Sequence, residues 1–308
     1  MAKLLAAAMV AVCAAAIGCT EVRNGYGDAT RSVNNMDPSS VDWDEIDIRR
    51  VAQRKHPARR VQEIAVTGSP VSDGNGNVYV CDANGRIHCY CLNDGSMKVH
   101  HEGNGPVRQL AYRDGLLAAD AEGRMIRHIG DTDRPLVIEH IPQLRDLAVD
   151  KKGGLYLAVG ADESMGRPSG AVYYVSPRGE SQRIIDLPDP VALELAPDDA
   201  RLYVADSKAD QLFAFTLMEP GQAVGWSRMS KLSDAGIDIR DVTVDEDGNV
   251  YLATSEGVRV IWPNGKLRDL IPMNEPVNGI AFAGPDSNWF FMTTPSSLYR
   301  MQLTTEGK

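Results

Sequence analysis

The alternation of hydrophobic and polar positions between residues 239 and 262 predicts three short antiparallel strands. Residues 240–245 and 250–254 are apolar runs rich in β-branched side chains, and 258–262 alternates apolar and polar residues. Asp247-Gly248 separates the first two runs, and glycine tolerates the positive φ that a tight turn requires. A unit of this size cannot bury its own faces, so the pattern requires neighbouring copies.

The same unit recurs along the chain. One aromatic or large apolar residue marks the second strand of each copy: Tyr79, Leu117, Tyr156, Tyr203, Tyr251 and Phe290. The spacings of 38, 39, 47, 48 and 39 residues are typical of a propeller or an array. Long helical periodicity is absent, which argues against an α/β fold. The sequence therefore predicts an all-β, six-bladed β-propeller over residues 58–303.

The ring must close between its two ends. The last unit ends near Leu303 and leaves no room for an outer strand, whereas residues 60–66 form an unassigned strand-like run before the first unit. An unpaired sheet edge invites aggregation. We predict that residues 60–66 complete blade six.

Residues 1–18 are predicted to be an export signal. Lys3 precedes an apolar segment, residues 4–17, that is shorter than the roughly 20 residues needed to span a bilayer. Ala16-Ile17-Gly18-Cys19 resembles a bacterial lipoprotein lipobox, which makes Cys19 the expected lipid-attachment site. The alternative is an ordinary cleaved signal in which Cys19 has no role. Either signal exports the mature chain, and the lipobox would anchor it to a membrane of a bacterial envelope, on its periplasmic or cell-surface face.

Residues 19–57 are predicted to be a tether between this anchor and the propeller, because they are polar and contain few large apolar residues. Residues 43–53 could form a short helix, and the alternation at residues 45–48 fits a strand equally well. No later segment is apolar enough to cross a membrane.

Composition and charge narrow the possible partners. The chain has a net charge of -10, so it has no electrostatic support for binding nucleic acid. Its apolar fraction of 43% and charged fraction of 24% are ordinary for a globular protein. We expect the protein to be a monomer. The sequence does not identify a protein partner.

Several segments resemble the senescence-marker-protein/gluconolactonase family of six-bladed propellers, which is related to strictosidine synthase. The similar segments are Leu144–Tyr156, Pro190–Asp206, Gly257–Lys266, Val277–Asp286 and Ser297–Arg300. The likeness covers about residues 68–303 and is most specific in its last hundred residues.

The resemblance implies a calcium-dependent lactone hydrolase whose metal lies at the mouth of the central channel, where it would polarise an ester carbonyl and activate water. At four ligand positions of the family, this chain has Gly68, Arg145, Val191 and Arg240. The family pattern is retained only at Asp146, next to one ligand position, and at Asn278. Arginines at these positions would exclude a dication, so we expect no metal or cofactor, with calcium only under the alternative of a rearranged hydrolase site.

The equivalent position in each blade begins an inner strand, so six residues are expected to form a ring at the channel mouth. This mouth ring comprises Gly68, Arg108, Arg145, Val191, Arg240 and Asn278. Guanidinium groups suit carboxylate or phosphate. One hypothesis is that Arg108, Arg145 and Arg240, with Asn278 as a neutral partner, bind a small anion.

The alternative hypothesis is structural. Asp146 and Asp241 each follow an arginine of the mouth ring, and strand alternation turns each aspartate away from its own arginine. The arginines would then form ion pairs between neighbouring blades. In that case they would stabilise the ring at the position of a former metal site.

Cys81, Cys89 and Cys91 all fall in the first blade. Cys89 and Cys91 share a strand face, and an exported protein permits a disulfide from Cys81 to one of them. A two-residue turn at Asn84-Gly85 would set Cys81 opposite His88, so neither thiol would lie directly across from it. The alternative is three buried, unpaired thiols. No nucleophile motif is present, so no catalytic residue is assigned.

Two main functions remain open from sequence. The first is a surface-tethered, non-catalytic propeller that binds an anion or another small molecule through its channel. The second is a metal-dependent lactone hydrolase with a rearranged site. A protein-interaction scaffold is a further alternative, and fold alone does not decide among them.

Overall fold

The structure is a computed structural model that describes residues 21–23, 30–32, 58–103, 105, 107–120, 126–130, 135–136, 143–166, 169–231, 238–305 and 307. Two compact units are distinguished, residues 1–52 and 53–308. In the first, β1 (Glu21–Arg23) pairs antiparallel with β2 (Thr30–Ser32). The predicted signal peptide, Cys19 and the possible element at 43–53 lie outside the described residues.

The second unit contains six four-stranded sheets, which are the blades of an all-β propeller. Its first strand, β3 (Arg59–Glu63), belongs to the last blade. Blade 1 contains β4 (Val66–Ser72), β5 (Asn77–Asp82), β6 (Ile87–Cys91) and β7 (Met97–His101). Blade 2 contains β8 (Val107–Tyr112), β9 (Leu116–Asp120), β10 (Ile126–Ile129) and β11 (Pro135–Leu136). Blade 3 contains β12 (Leu144–Val149), β13 (Leu155–Val159), β14 (Gly170–Val175) and β15 (Ser181–Leu187).

The remaining blades follow the same order. Blade 4 contains β16 (Pro190–Leu195), β17 (Arg201–Asp206), β18 (Gln211–Glu219) and β19 (Gln222–Lys231). Blade 5 contains β20 (Ile239–Val244), β21 (Val250–Thr254), β22 (Gly257–Ile261) and β23 (Leu267–Pro272). Blade 6 contains β24 (Gly279–Ala283), β25 (Trp289–Thr293), β26 (Ser297–Gln302) and β3. A 3₁₀ turn at Glu163–Met165 is the sole helical element among the described residues.

Ring closure through the N-terminal strand is confirmed. Strand β3 pairs antiparallel with β26, with Ser297 opposite Glu63 and Arg300 opposite Arg59. The strand ends at Glu63, earlier than the predicted residue 66, because Val66 already begins the inner strand of blade 1. Val61 and Ile64 pack against the cluster that contains Phe291. The last blade is thus completed from the other end of the chain, which removes an exposed edge.

Apolar clusters between neighbouring blades form the core. All six residues that mark the second strands in sequence are buried. For example, Tyr156 packs with Leu193 and Leu202 of the next blade, and Tyr251 packs with Phe282 and Phe290. The second strand is buried on both faces because each blade is covered by a neighbour on either side, which explains its continuous apolar run.

Aspartates fix the turn that follows several inner strands. In blade 3, Asp150 accepts hydrogen bonds from the amides of Lys152 and Gly154, at 2.8 Å each. In blade 5, Asp245 accepts from the amide and side chain of Asn249. Asp73 does the same in blade 1. These side chains satisfy turn amides that would otherwise lack partners.

The predicted pairing of Cys81 with His88 is wrong by one residue. Cys81 lies opposite Ile87, Val80 opposite His88, and Tyr79 opposite Cys89. The loop has three residues because the Asp82 carboxylate accepts the amides of Asn84 and Arg86, while Gly85 adopts a φ of 84°. Cys81, Cys89 and Cys91 are free thiols, so no disulfide joins Cys81 to the other strand.

Candidate functional site

The inner strands of four blades contain the same irregularity near their first residue. The pairing of β8 with β9 shifts between Val107 and Gln109, so that Arg108 is the unpaired residue of a β-bulge. Equivalent shifts bypass Arg145, Val191 and Arg240 in blades 3, 4 and 5. In blade 1 the shift spans Thr67 to Val71 and includes Gly68. These residues of the mouth ring therefore occupy equivalent backbone positions.

All six residues of the mouth ring are half-buried. Gly68 has a φ of 77°, and a Cβ there would lie 2.6 Å from the carbonyl oxygen of Arg108, so the site requires glycine. The backbone amide of Asn278, one residue before β24, donates to the carbonyl of Thr293 at 2.7 Å. Close backbone contacts therefore fix Gly68 and Asn278, which belong to the first and last blades, where the ring closes.

The three arginines of the mouth ring differ in their partners. Arg240 Nη1 donates to Asn278 Oδ1 at 2.6 Å, and its Nε donates to Asp238 at 3.0 Å. In contrast, Arg145 Nε is buried without a hydrogen-bond partner. Among the described residues, no carboxylate forms an ion pair with Arg108 or Arg145.

Arg108 and Arg145 are also close enough to repel each other. Burial lowers the pKa of Arg108, and the positive charge of Arg145 lowers it further. A Cβ placed on Gly160 would meet Arg145 Nε at 2.6 Å and Asp189 Oδ1 at 2.9 Å, so the glycine allows the guanidinium to approach that turn. Asp189 is occupied by the Ala161 amide and the Ser207 hydroxyl. The two half-buried guanidinium groups of neighbouring blades thus lie near each other, and the part of the chain that the structure describes gives neither an ion pair.

A second layer of polar residues lies one position further along the inner strands. Asp146 Oδ1 accepts from Gln109 Nε2 at 2.6 Å, and its Oδ2 accepts from the Leu193 amide at 2.8 Å. Asp241 Oδ2 accepts from the Ile280 amide of blade 6 at 2.7 Å. Each carboxylate therefore joins its own blade to the next through a backbone amide. The inter-blade link predicted for the arginines is made by the aspartates in these two places, and by Arg240 with Asn278 between blades 5 and 6.

This second layer lines a cavity of about 260 Å³ in the central channel. Its polar lining includes Ser69, Gln109, Asp146, Glu194 and Asp241. Burial raises the pKa of Asp146 to about 7, against the opposing effect of its hydrogen bonds. Burial also raises the pKa of Asp241 well above its usual value, and the negative charge of Asp146 adds to this shift. The channel is therefore basic at its mouth and acidic immediately below.

Four polar residues of this lining were not predicted as site residues from the sequence, namely Ser69, Gln109, Glu194 and Asp241. A signal was present for two of them, because Arg-Asp recurs at 145–146 and 240–241 and Arg-Gln occurs at 108–109. A polar residue that follows each bulged arginine marks the layer below the mouth ring.

Calcium does not fit these residues. The Asp146 and Asp241 carboxylates, which are the nearest candidates, already accept backbone amides whose N–H dipoles would face a cation. Arg145, which stands where the resemblance implies a metal ligand, brings a positive charge beside Asp146, and its Nε has no hydrogen-bond partner. Among the residues that the structure describes, no cluster of three or more His, Cys, Asp or Glu side chains is arranged to hold a metal ion.

A family model, the SMP-30/gluconolactonase/LRE-like region, matches residues 66–296. The chain belongs to the SMP-30/gluconolactonase/LRE-like family. No match was found among curated proteins.

Solved structures place this member of the SMP-30/gluconolactonase/LRE-like family among propellers with several activities. A gluconolactonase from Xanthomonas campestris has a TM-score of 0.69 at 21% identity, over 82% of this chain and 92% of that chain. A calcium-binding regucalcin from Agrobacterium tumefaciens has a TM-score of 0.67 at 17% identity, over 82% and 96%. A streptogramin B lyase has a TM-score of 0.59 at 11% identity, over 80% and 97%. At these identities the likeness establishes the fold and leaves the activity open.

Proposed function

We propose that this protein is an exported, membrane-tethered, non-catalytic propeller that binds a small anion at the mouth of its central channel. Arg108 and Arg145 are the principal donors in this proposal. Arg240 adds charge while it remains bonded to Asp238 and Asn278. The tether and Cys19 hold the propeller at a membrane surface, as the lipobox-like sequence suggests.

The buried, unpartnered Nε of Arg145 is the observation that supports this proposal most strongly. A buried donor without an acceptor costs about 1 to 3 kcal/mol, and a neighbouring guanidinium adds repulsion. A carboxylate or phosphate between Arg108 and Arg145 would satisfy the donor and neutralise the repulsion. Guanidinium is planar and offers paired N–H groups, which suits both kinds of anion.

Thermal melting in the presence of anions tests the proposal. A ligand present at about 100 times its Kd stabilises a protein by about 2.7 kcal/mol, which raises the Tm of a domain of this size by roughly 5 to 10 °C. We expect phosphate, citrate or gluconate at 10 mM to produce such a rise at constant ionic strength. Chloride at matched ionic strength is the control for screening.

Variants identify the donors. Arg108→Met and Arg145→Met should each abolish most of the anion-dependent rise, whereas Arg240→Met should retain a reduced rise. An anion-dependent rise that is equal in the wild type and in Arg145→Met would exclude the mouth ring as the site.

A lactone hydrolase with a rearranged metal site is the second candidate. It is favoured by the presence of three carboxylates, Asp146, Glu194 and Asp241, in the lining of one cavity. Hydrolysis of gluconolactone with each of Ca²⁺, Mn²⁺, Zn²⁺ and Mg²⁺ tests it. Turnover that depends on one of these ions and is lost in Asp146→Asn would replace the non-catalytic proposal.

A protein-interaction scaffold is the third candidate. Met218, Val224 and Trp226 are exposed on the long outer hairpin of blade 4. Exposed apolar patches of this kind often mark contact surfaces. Substitution of Trp226 by Ser should leave anion binding unchanged, so the two activities are separable.

A further inference from the structure

Two free thiols lie side by side in blade 1, away from the channel. Cys89 and Cys91 are two residues apart in β6, which places both side chains on one face of the sheet. Both are half-buried.

Strand geometry disfavours a disulfide between these thiols. Residues i and i+2 of a strand are about 6.6 Å apart, since the rise is about 3.3 Å per residue. That separation is at the upper limit of the Cα distances that a disulfide tolerates, and the parallel Cβ atoms are much further apart than the roughly 3.8 Å it needs. The strand cannot shorten locally without losing its pairing to β5 and β7.

The same geometry suits a bridging metal ion. A metal–sulfur bond of about 2.3 Å, as in zinc thiolate sites, allows one ion to span two sulfur atoms up to about 4.6 Å apart. Two side chains that project in parallel from positions i and i+2 reach this separation when both adopt χ1 rotamers that lean toward each other along the strand. Soft thiolate pairs select soft cations such as Cu⁺.

Neighbouring side chains would orient the thiols of such a site and offset its negative charge. The Tyr79 hydroxyl hydrogen-bonds to Cys89, and Tyr79 is itself held between Tyr112 and His100 by ring contacts at 6.0 and 5.0 Å. Lys98 lies directly opposite Cys89 on β7. Its positive charge offsets the negative charge of a bis-thiolate complex.

We propose that Cys89 and Cys91 bind one Cu⁺ ion as a two-coordinate bis-thiolate. Two S–H bonds break and two S–Cu bonds form, both protons pass to solvent, and no group is oxidised or reduced. The site has two protein ligands, so it differs from the clusters of three or more ligands that are absent from the described residues. It is independent of the mouth ring and of the proposed anion binding.

Anaerobic titration of the reduced full-length protein with Cu⁺, in competition with bicinchoninate, tests the proposal. Cys13 and Cys19 are replaced by Ala in every variant, so that the thiols of the export signal do not contribute. We expect one Cu⁺ per chain, with an affinity that falls at least 100-fold in Cys89→Ser and in Cys91→Ser.

Cys81→Ser is the matched control, because Cys81 shares the sheet face but is fully buried, 1% exposed, opposite Ile87. It should bind Cu⁺ like the parent, and X-ray absorption should show two sulfur ligands. Loss of binding in Cys81→Ser, retention in Cys89→Ser, or a Cys89–Cys91 disulfide in the purified protein would each overturn the proposal. Circular dichroism confirms that each variant is folded.

Discussion

Arg145 and Arg240 show how two identical residues at equivalent positions acquire different roles. Both are the extra residue of a β-bulge on an inner strand. Arg240 has an amide and a carboxylate within hydrogen-bond distance, whereas Arg145 has an orphaned Nε and a positive neighbour. The first arrangement stabilises the ring of blades, and the second leaves a donor group available for a ligand.

This difference predicts opposite effects on stability without anions. Arg145→Met removes an unpaired buried donor and a repulsive charge while keeping an unbranched side chain, so we expect the free energy of unfolding to rise by about 0.5 to 1 kcal/mol. Arg240→Met leaves Asn278 and Asp238 without their partner and should lower it by about 1 to 2 kcal/mol. Urea unfolding in an anion-poor buffer measures both. A destabilised Arg145→Met variant would instead support the hypothesis that the arginines have a structural role between the blades.

The buried aspartates predict a pH dependence. Both pKa values are raised in the folded protein, so the native state binds more protons than the unfolded chain above the usual aspartate pKa of about 4. Their contribution to stability is therefore complete below about pH 4 and is lost as the pH rises through their raised pKa values, which are about 7 for Asp146 and well above the usual value for Asp241. One such group changes stability by at most about 1.4 kcal/mol per pH unit.

The measurement is urea unfolding of the wild type and Asp241→Asn between pH 4 and 8. The variant loses one titrating group and also relieves Asp146 of its negative neighbour, so its stability should fall less steeply with pH. Absolute stabilities are not comparable, because an asparagine leaves one of the amides of Val242 and Ile280 without an acceptor. Identical slopes would mean that the Asp241 carboxyl has an ordinary pKa.

At the scale of elements, the strand pairing that closes the ring has the largest sequence separation of the strand pairings in the described propeller. Strand β3 begins the propeller but pairs with β26 near its end, and it contributes the apolar Val61, with Ile64 directly after the strand. The blade would otherwise expose the hydrogen-bonding edge of β26. Closure therefore depends on a few residues that adjoin the predicted tether.

Deletion of residues 1–65 should destabilise the protein by at least about 3 kcal/mol, through the lost ladder and the lost burial of two apolar side chains. It should also produce concentration-dependent association through the β26 edge. Deletion of residues 1–52 removes the first unit but keeps β3, and is the matched control that should remain monomeric with an unchanged Tm. Size-exclusion chromatography and thermal melting distinguish these outcomes. Equal behaviour of the two deletions would show that β3 contributes little.

The elements were predictable because their signals are local and repeated. Turn pairs such as Asp247-Gly248 and buried residues such as Tyr203 recur in each blade, and the missing outer strand at Leu303 indicated the closure. The β5–β6 register was predicted wrongly because a side chain, Asp82, determines the loop length. The contacts of Arg145 and Asp146 were not predictable, because a bulge alters side-chain direction in a way that strand alternation does not describe.

At the scale of the whole molecule, the propeller surrounds a channel whose wall is made by every blade. The mouth ring and the acidic layer below it are therefore properties of the assembled ring. Among the described residues no helix meets the length and apolarity needed to cross a bilayer. The proposed attachment to a membrane rests on the lipobox-like sequence that ends at Cys19, and the proposed ligand chemistry depends on the channel.

Calcium provides the sharpest test of how this channel differs from that of a calcium-binding relative. A retained site would stabilise the folded state by about 2.7 kcal/mol with Ca²⁺ at 100 times its Kd, and would raise the Tm by roughly 5 to 10 °C. We expect no difference beyond about 1 °C between melts in 1 mM EDTA and in 5 mM CaCl₂. The guanidinium groups of Arg145 and Arg240 stand at positions where the resemblance implies metal ligands, and the carboxylates of Asp146 and Asp241 already accept amide protons.

The double variant Arg145→Asn, Arg240→Asp is the matched gain-of-function control. It returns an amide and a carboxylate to two positions where the resemblance implies metal ligands, and removes two positive charges that repel a dication. We expect its Tm to become sensitive to calcium even where that of the wild type is not, because loss of Arg240 also frees Asn278 Oδ1, which that arginine otherwise occupies. A wild-type Tm that rises by several degrees with calcium would show instead that the channel mouth still binds the ion.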